Sequence, residues 1–278
     1  MKYLLVTIFG CLILFSSASA GDVPSRYISL APATTEILFA LGLDEEIAGV
    51  SSYCDYPPEA RGKQQIGSFS YPNMELIVAL RPDYIFCAGL EQAPAIEQLR
   101  RLGLNVYVSY PSDIEGLMVA ITEIGSLTQR EREAEALVDS MRAQLDEIQA
   151  KVSVIPQEAR PRVFIEIWHA PLTTAGRVSF MDEIIRRAGG LNIAHDLNRA
   201  YSTFVSEEVV RRDPEYIFLA YMDTEFPLEE VKRRVGWDAV SAVKNGKVYN
   251  DIDSNILLRP GPRVVEGIRQ LYRRMFAQ

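Results

Sequence analysis

Two stretches of this sequence repeat each other at a fixed offset. They are NMELIVALRPDYIF, from Asn73 to Phe86, and VSEEVVRRDPEYIF, from Val205 to Phe218. A shift of 132 residues superposes Glu207 on Glu75, Pro214 on Pro82, Tyr216 on Tyr84 and Phe218 on Phe86. Each copy reads as a short amphipathic helix, a turn and an apolar strand. A chain that contains the same unit twice, far apart, is expected to fold as two similar lobes. Two lobes enclose a cleft, and such a cleft is the default place for a small ligand.

The residues around each copy extend this pattern. In the first half, Tyr27–Leu30, Ile47–Ser51, Tyr84–Cys87 and Val106–Ser109 read as strands. They alternate with helices over Thr34–Leu41, Met74–Leu80 and Ala93–Leu102. Gly42 and Gly103 sit where helix C-termini call for glycine, Asn73 is a helix cap, and Pro82 stops the helix before it. Strands separated by helices imply right-handed crossovers and parallel sheets. The second half repeats the alternation, with strands Val163–Ile167, Tyr216–Ala220 and Lys247–Tyr249. Its helices are expected at Phe180–Ala188, Glu207–Arg212, Pro227–Val235 and Pro262–Phe276.

Between the halves, Ile114–Leu127 is helical, and Arg130–Val152 then runs without Gly or Pro. Its apolar positions Ala134, Leu137, Met141, Leu145 and Ile148 recur at helical spacing. That run is too long for an ordinary crossover and predicts one helix bridging two lobes. The expected fold is therefore α/β, with two Rossmann-like lobes of mainly parallel sheet joined by one long backbone helix. The expected divisions are a signal peptide over 1–20, a first lobe over 21–129, the inter-lobe helix over 130–154 and a second lobe over 155–278.

Export is read from the N-terminus: Lys2, an apolar run from Leu4 to Phe15, and the small-residue site Ala18-Ser19-Ala20. Too little apolar sequence precedes Cys11, and too much follows it, for a lipid anchor there. The formal charge of -8 carries no basic block and makes nucleic acid a poor partner. Cys54 and Cys87 are expected as packed thiols. If a strand separates theirs, a gap of about 10 Å puts a disulfide out of reach. His169 and His195 are far apart in sequence, and no Cys/His cluster suggests a zinc site. His195 reads as structural. No nucleophile elbow, P-loop or dinucleotide fingerprint is present, so the sequence gives little support to an enzyme.

Loops leaving the C-terminal ends of the strands should line the cleft. They are rich in aromatics: Tyr53, Tyr56, Phe69, Trp168 and Tyr201. A broad, flat, partly apolar ligand would bury its faces on such rings. Asp253, Asn255 and Arg259 are candidates to hold polar groups at its edge, and His169 is a candidate contact. Glu75 and Glu207 occupy first helical turns, where the helix end favours a carboxylate. Their matched positions further suggest two equivalent corners presented to a two-fold partner.

The chain resembles the periplasmic binding proteins of class III, whose lobes are joined by a rigid helix and which deliver cobalamin, siderophores or haem to ABC importers. The resemblance runs through SLAPATTEILFALGLDEEIAGVSSYCDYPPEA (Ser29 to Ala60), PNMELIVALRPDYIF, WHAPLTTAG, AGGLNIA and RPGPRVVEG. CDYPPEA points to the cobalamin-binding branch. The resemblance implies that Glu75 and Glu207 dock on a dimeric permease of the inner membrane and that Phe69 and Tyr201 lie against a corrin. It also implies an acidic edge contact near Asp253 or Asn255. A further aromatic of that branch falls on Ala88, where this chain has no ring, a departure that could favour cobinamide or another corrinoid. The protein is thus expected to be a monomeric periplasmic receptor with no cofactor of its own and no catalytic residues. A ferric siderophore or haem receptor is the first alternative, left open by Arg177, Arg199 and Arg259. An envelope enzyme acting on a metal chelate is the second.

Overall fold

The computed structural model describes residues 25–222 and 228–277. The expected signal segment, together with Asp223 and Pro227 of the second lobe, lies outside the described residues. The first lobe runs β1 (Tyr27–Ser29), α1 (Pro32–Ala40), β2 (Ile47–Val50), α2 (Met74–Leu80), β3 (Tyr84–Cys87), α3 (Ala93–Arg101) and β4 (Val106–Val108). Then come α4 (Ile114–Leu127) and α5 (Glu131–Ser153). The second lobe continues with β5 (Arg162–Glu166), β6 (Trp168–His169), β7 (Leu172–Ala175), α6 (Phe180–Arg187), β8 (Leu191–Asn192), β9 (Tyr201–Thr203), α7 (Ser206–Arg212) and β10 (Tyr216–Leu219). It closes with α8 (Leu228–Lys232), α9 (Ser241–Lys244), β11 (Val248–Tyr249), α10 (Ser254–Leu258) and α11 (Val264–Phe276).

The repeat survives at the level of single bonds. The first sheet has the order β2-β1-β3-β4 and the second β8-β5-β10-β11, every pair in both being parallel. The sheets therefore share one strand order, with β3 equivalent to β10. α2 and α7 each end on a non-glycine residue in the left-handed region, Arg81 at φ 50° and Asp213 at φ 44°. Just before each repeated strand, the amides of Asp83 and Glu215 donate to the carbonyls of Arg26 and Arg162, both at 2.8 Å. The same two acidic side chains accept back from the Arg26 and Arg162 amides, at 2.8 and 2.9 Å.

α5 is the predicted bridging helix. It buries Ala134, Val138, Met141, Leu145, Ile148 and Val152 against α4, α6 and α11. The stripe runs through Val138 rather than Leu137, which is only partly buried. One apolar cluster joins Ile37 and Leu38 of the first lobe, the α5 stripe, and Ile268 and Leu271 of α11. Two satellite clusters fill the other faces of the sheets, one around Ile28, Ile66 and Ile85, the other around Phe164, Ile217 and Trp237. The lobes thus share a core along one side instead of meeting only through a linker.

Three local features depart from the sequence reading. α1 begins at Pro32, a residue preorganised for a first helical turn, two residues before the expected start at Thr34. A small antiparallel sheet, β6-β7-β9, stands beside the second parallel sheet. Its strands are two to four residues long and carry no apolar alternation that would announce them. Finally, Asn255 lies in the five-residue α10, between Asp253 and Arg259, a helix too short to show a period.

Candidate functional site

The cleft-facing loops of the first lobe are held by polar side chains that the chain buries on purpose-built partners. The amide of Gln92, a fully buried side chain, accepts from the Ala88 amide at 2.6 Å and donates to the carbonyls of Leu30 (3.1 Å) and Phe69 (2.7 Å). One residue thereby ties together the loops that follow β1, β3 and Gly67. Gly67 has φ 101°, and a Cβ there would come within 2.7 Å of the Tyr71 carbonyl oxygen and 2.9 Å of the Asn73 amide. Only glycine lets that loop fold back tightly enough to present Phe69. Phe69 meets Tyr53 edge-to-face, with ring centroids 6.4 Å apart, and Tyr53 remains half exposed. Cys54 and Cys87 are free, buried thiols, with β1 lying between their strands as the spacing argument required. Burial pushes both thiols up, Cys87 to about 12.

In the second lobe the small antiparallel sheet displays the rings. Trp168 on β6 is exposed and donates its indole N–H to the Ala170 carbonyl at 2.9 Å. Tyr201 on β9 pairs with Ala175 of β7 and is also exposed. Its phenol pKa is raised, first by loss of water and then by Tyr110 and Glu91, both from the first lobe. His169 lies between Trp168 and Tyr221, at centroid distances of 5.2 and 6.0 Å. Beneath it, the buried Glu166 carboxylate takes two 2.6 Å hydrogen bonds from Arg234 and another from the Tyr221 hydroxyl. His195 bonds the buried Asp182 at 2.9 Å, in the structural role read from sequence.

The predicted polar-edge residues join a cluster of charges that spans the two lobes. Arg259, with 11% of its side chain exposed, reaches Asp55 of the first lobe at 2.5 Å and lies 4.0 Å from Glu36. Arg263 makes a two-pronged bond to Glu36 at 2.6 and 2.9 Å, and its guanidinium stacks on the Tyr56 ring 3.6 Å from the centroid. Asp253 caps α10 through the Asn255 amide at 2.9 Å and lies 3.5 Å from Arg263. Burial raises the Glu36 pKa, and the hydrogen bond and charge of Arg263 oppose that rise. Burial also works upward on Asp55, but Arg259 outweighs it and leaves that carboxyl below its ordinary value. Arg263, Glu36 and Asp55 were not singled out from the sequence. Their only signal is the RPGPR stretch, whose second arginine cannot be matched to a partner more than two hundred residues away.

Glu75 and Glu207 are both exposed in the first turns of α2 and α7, with no salt-bridge or hydrogen-bond partner among the described residues. Glu208, next to Glu207, is instead clamped by Arg211 (2.6 Å) and Arg212 (2.8 Å). No group of three or more His, Cys, Asp or Glu side chains able to hold a metal ion occurs among the described residues.

A family model described as periplasmic binding protein matches residues 28–254. An ABC transporter substrate-binding lipoprotein of Bacillus subtilis is 32% identical over 254 residues, covering 89% of this chain and 79% of its own length. The vitamin B12-binding protein of Vibrio campbellii is 27% identical over 268 residues, covering 95% and 94%. Among solved structures, a possible iron-binding periplasmic solute-binding protein of Staphylococcus epidermidis superposes with a TM-score of 0.78 at 29% identity, covering 90% of this chain and 98% of that one.

Proposed function

This chain belongs to the periplasmic binding protein family, as a class III substrate-binding protein of an ABC importer, and from that premise we propose that its ligand is cobalamin or a related corrinoid. Family membership already makes it a periplasmic capture-and-delivery protein for a small ligand rather than an enzyme. The finer reading is supported by the kind of surface the cleft offers. Tyr53 and Phe69 of the first lobe and Trp168 and Tyr201 of the second are aromatic, and three of the four are exposed. Rings that wait in water without a ligand have their faces available for one that is broad and flat. They lose little side-chain entropy on meeting it. The observation that carries the reading is the position of Tyr201. It is exposed on β9 of the second lobe, and Tyr110 and Glu91 of the first lobe are among the groups that raise its pKa, which supports one ligand touching rings of both lobes. The similarity to a vitamin B12-binding protein over nearly the whole length supports the same choice.

We further assign Glu75 and Glu207 as the two contacts with the importer's membrane subunits. They occupy equivalent positions in equivalent helices, and their carboxylates are committed to nothing else among the described residues. Such charge pairs steer and orient an encounter more than they add affinity.

Calorimetric titration of the purified protein with cyanocobalamin, dicyanocobinamide, haem and ferric siderophores tests the ligand. Tight, saturable binding of a corrinoid, weakened when Tyr201 or Phe69 is replaced by alanine, is expected. Tight binding of haem or a siderophore with no corrinoid signal would overturn the reading.

A further inference from the structure

Beside the cleft the first lobe carries a groove of about 680 Å³ that the rings just described do not occupy. One wall is a face of α3 and the other is the end of β4, the edge strand of the sheet, continued by Tyr110. Ile96 and Val108 give it apolar sides, and Arg100 and Arg101 lie at its far end. Neither guanidinium has a salt-bridge or hydrogen-bond partner among the described residues, and both are exposed. Among the described residues the only carboxylate lining it is Glu97, so the groove carries a surplus of one positive charge in a protein whose formal charge is -8.

The groove begins at the loop that follows β3. Gly89 lies two residues beyond β3, in the loop that Gln92 holds through the Ala88 amide. The Tyr110 ring lies over it so closely that a Cβ on Gly89 would come within 2.3 Å of a ring atom. Tyr110 is also the residue whose proximity raises the pKa of Tyr201 across the opening. Gly89 and Tyr110 follow the C-terminal ends of β3 and β4, at the edge of the sheet where the cleft loops gather, so a ligand held there has the mouth of the groove beside it. From the first turn of α3 to Arg100 the helix rises roughly 10 Å, at 1.5 Å per residue.

Resting on the corrinoid reading, we propose that this groove is a subsite for an anionic arm of the ligand held in the cleft, namely the phosphodiester-linked nucleotide arm of a complete corrinoid. Arg100 and Arg101 take the phosphate, and Ile96 and Val108 line the path to it. The charge fits a diester: two guanidiniums less one carboxylate match a single negative charge. The planar guanidinium fork is suited to phosphate oxygens. The apolar sides suit an arm that carries a base.

The test compares two corrinoids that share the macrocycle and differ in the arm. Arg100 and Arg101 are exposed, so R100Q/R101Q is expected to fold. Wild-type protein should bind cyanocobalamin more tightly than dicyanocobinamide, and added salt should narrow the difference. The double variant should lose about tenfold or more in affinity for cyanocobalamin, the scale of one or two charge-assisted hydrogen bonds. Its affinity for dicyanocobinamide should change less than about twofold, the scale of a screened surface charge. Equal losses for both ligands, or no loss for either, would overturn the subsite while leaving the corrinoid reading intact. If wild-type protein binds neither corrinoid, both fall together.

Discussion

Arg263 and Glu36 offer the sharpest test of how the lobes are held. Glu36 is 4% exposed and depends on Arg263 for its two strongest hydrogen bonds. Replacing Arg263 by methionine keeps most of the side-chain volume and leaves the carboxylate buried with Arg259 4.0 Å away as its nearest cation. The penalty has a ceiling, because the carboxyl can escape by taking a proton. From its ordinary value of 4.5, protonation at pH 7 costs about 3.4 kcal/mol, and at pH 5 only about 0.7 kcal/mol, at 1.36 kcal/mol per pKa unit. The sign follows from the direction of the shift. A carboxyl with a raised folded-state pKa contributes stability that is present below 4.5 and lost as pH rises through the folded value. Losing Arg263 raises that value further, so the variant's deficit must widen with pH. The lost stacking on Tyr56 adds a constant that cancels between pH values. Urea unfolding of R263M and wild type at both pH values should show a deficit larger at pH 7 by about 1 to 3 kcal/mol, the upper figure being roughly the difference between the two ceilings just given. A deficit of the same size at both, or one that grows in acid, would refute the account of Glu36 as a buried carboxyl whose pKa rise Arg263 opposes.

Other consequences are open to direct measurement. Charge reversal at Glu75 and Glu207 together should abolish importer-dependent uptake in reconstituted vesicles while leaving ligand affinity within about twofold, since both carboxylates are exposed and hold no salt bridge or hydrogen bond among the described residues; unimpaired uptake would remove the docking assignment. Cys54 and Cys87 should resist alkylation at neutral pH in the folded protein and react fully in denaturant, because both thiols are buried and shifted upward; rapid native labelling would contradict their packing. Gly67→Ala should destabilise the protein by about 1 kcal/mol or more, through its left-handed φ and the 2.7 Å approach to Tyr71, and should weaken ligand binding through Phe69. Binding lost without any loss of stability would mean the loop relaxes at no cost.

The architecture was legible because its signals are periodic. Helical spacing along α5, glycine and proline at helix ends, and the doubled unit at Glu75 and Glu207 each repeat a rule several times in sequence. Tyr53, Phe69, Trp168 and Tyr201 were expected on the cleft from a general property of parallel sheets, in which loops at the strand C-termini gather at one edge, but the last two are carried on the short antiparallel strands β6 and β9. What escaped was pairing. Arg259 reads equally well as an anchor for ligand or a partner for Asp55, and no spacing connects residues 55 and 259. Gln92 looks like an ordinary polar residue before a helix until its amide is found binding three loops. The β6-β7-β9 sheet escaped because its strands are shorter than any alternation can reveal.

These pairings bear on motion as well as on form. A backbone helix alone limits how far two lobes can swing, but it acts only along its own seam. Here the apolar cluster around α5 extends from α1 to α11 and is common to both lobes. The Asp55–Arg259 and Glu36–Arg263 bonds tie α1 and the β2 loop to the segment between α10 and α11. Opening the cleft widely would have to expose shared apolar core and separate buried charges at the same time. A ligand that merely slides between rings gives little energy beyond its own capture to drive such a change. The cleft should therefore be formed before the ligand arrives, and binding should tilt the lobes only slightly. Small-angle scattering of the free and loaded protein tests this directly. Nearly superposable profiles are expected, whereas a compaction of several ångströms in radius of gyration would show that the clasp opens in solution. In that case R263M should itself shift the free protein's profile toward the open form.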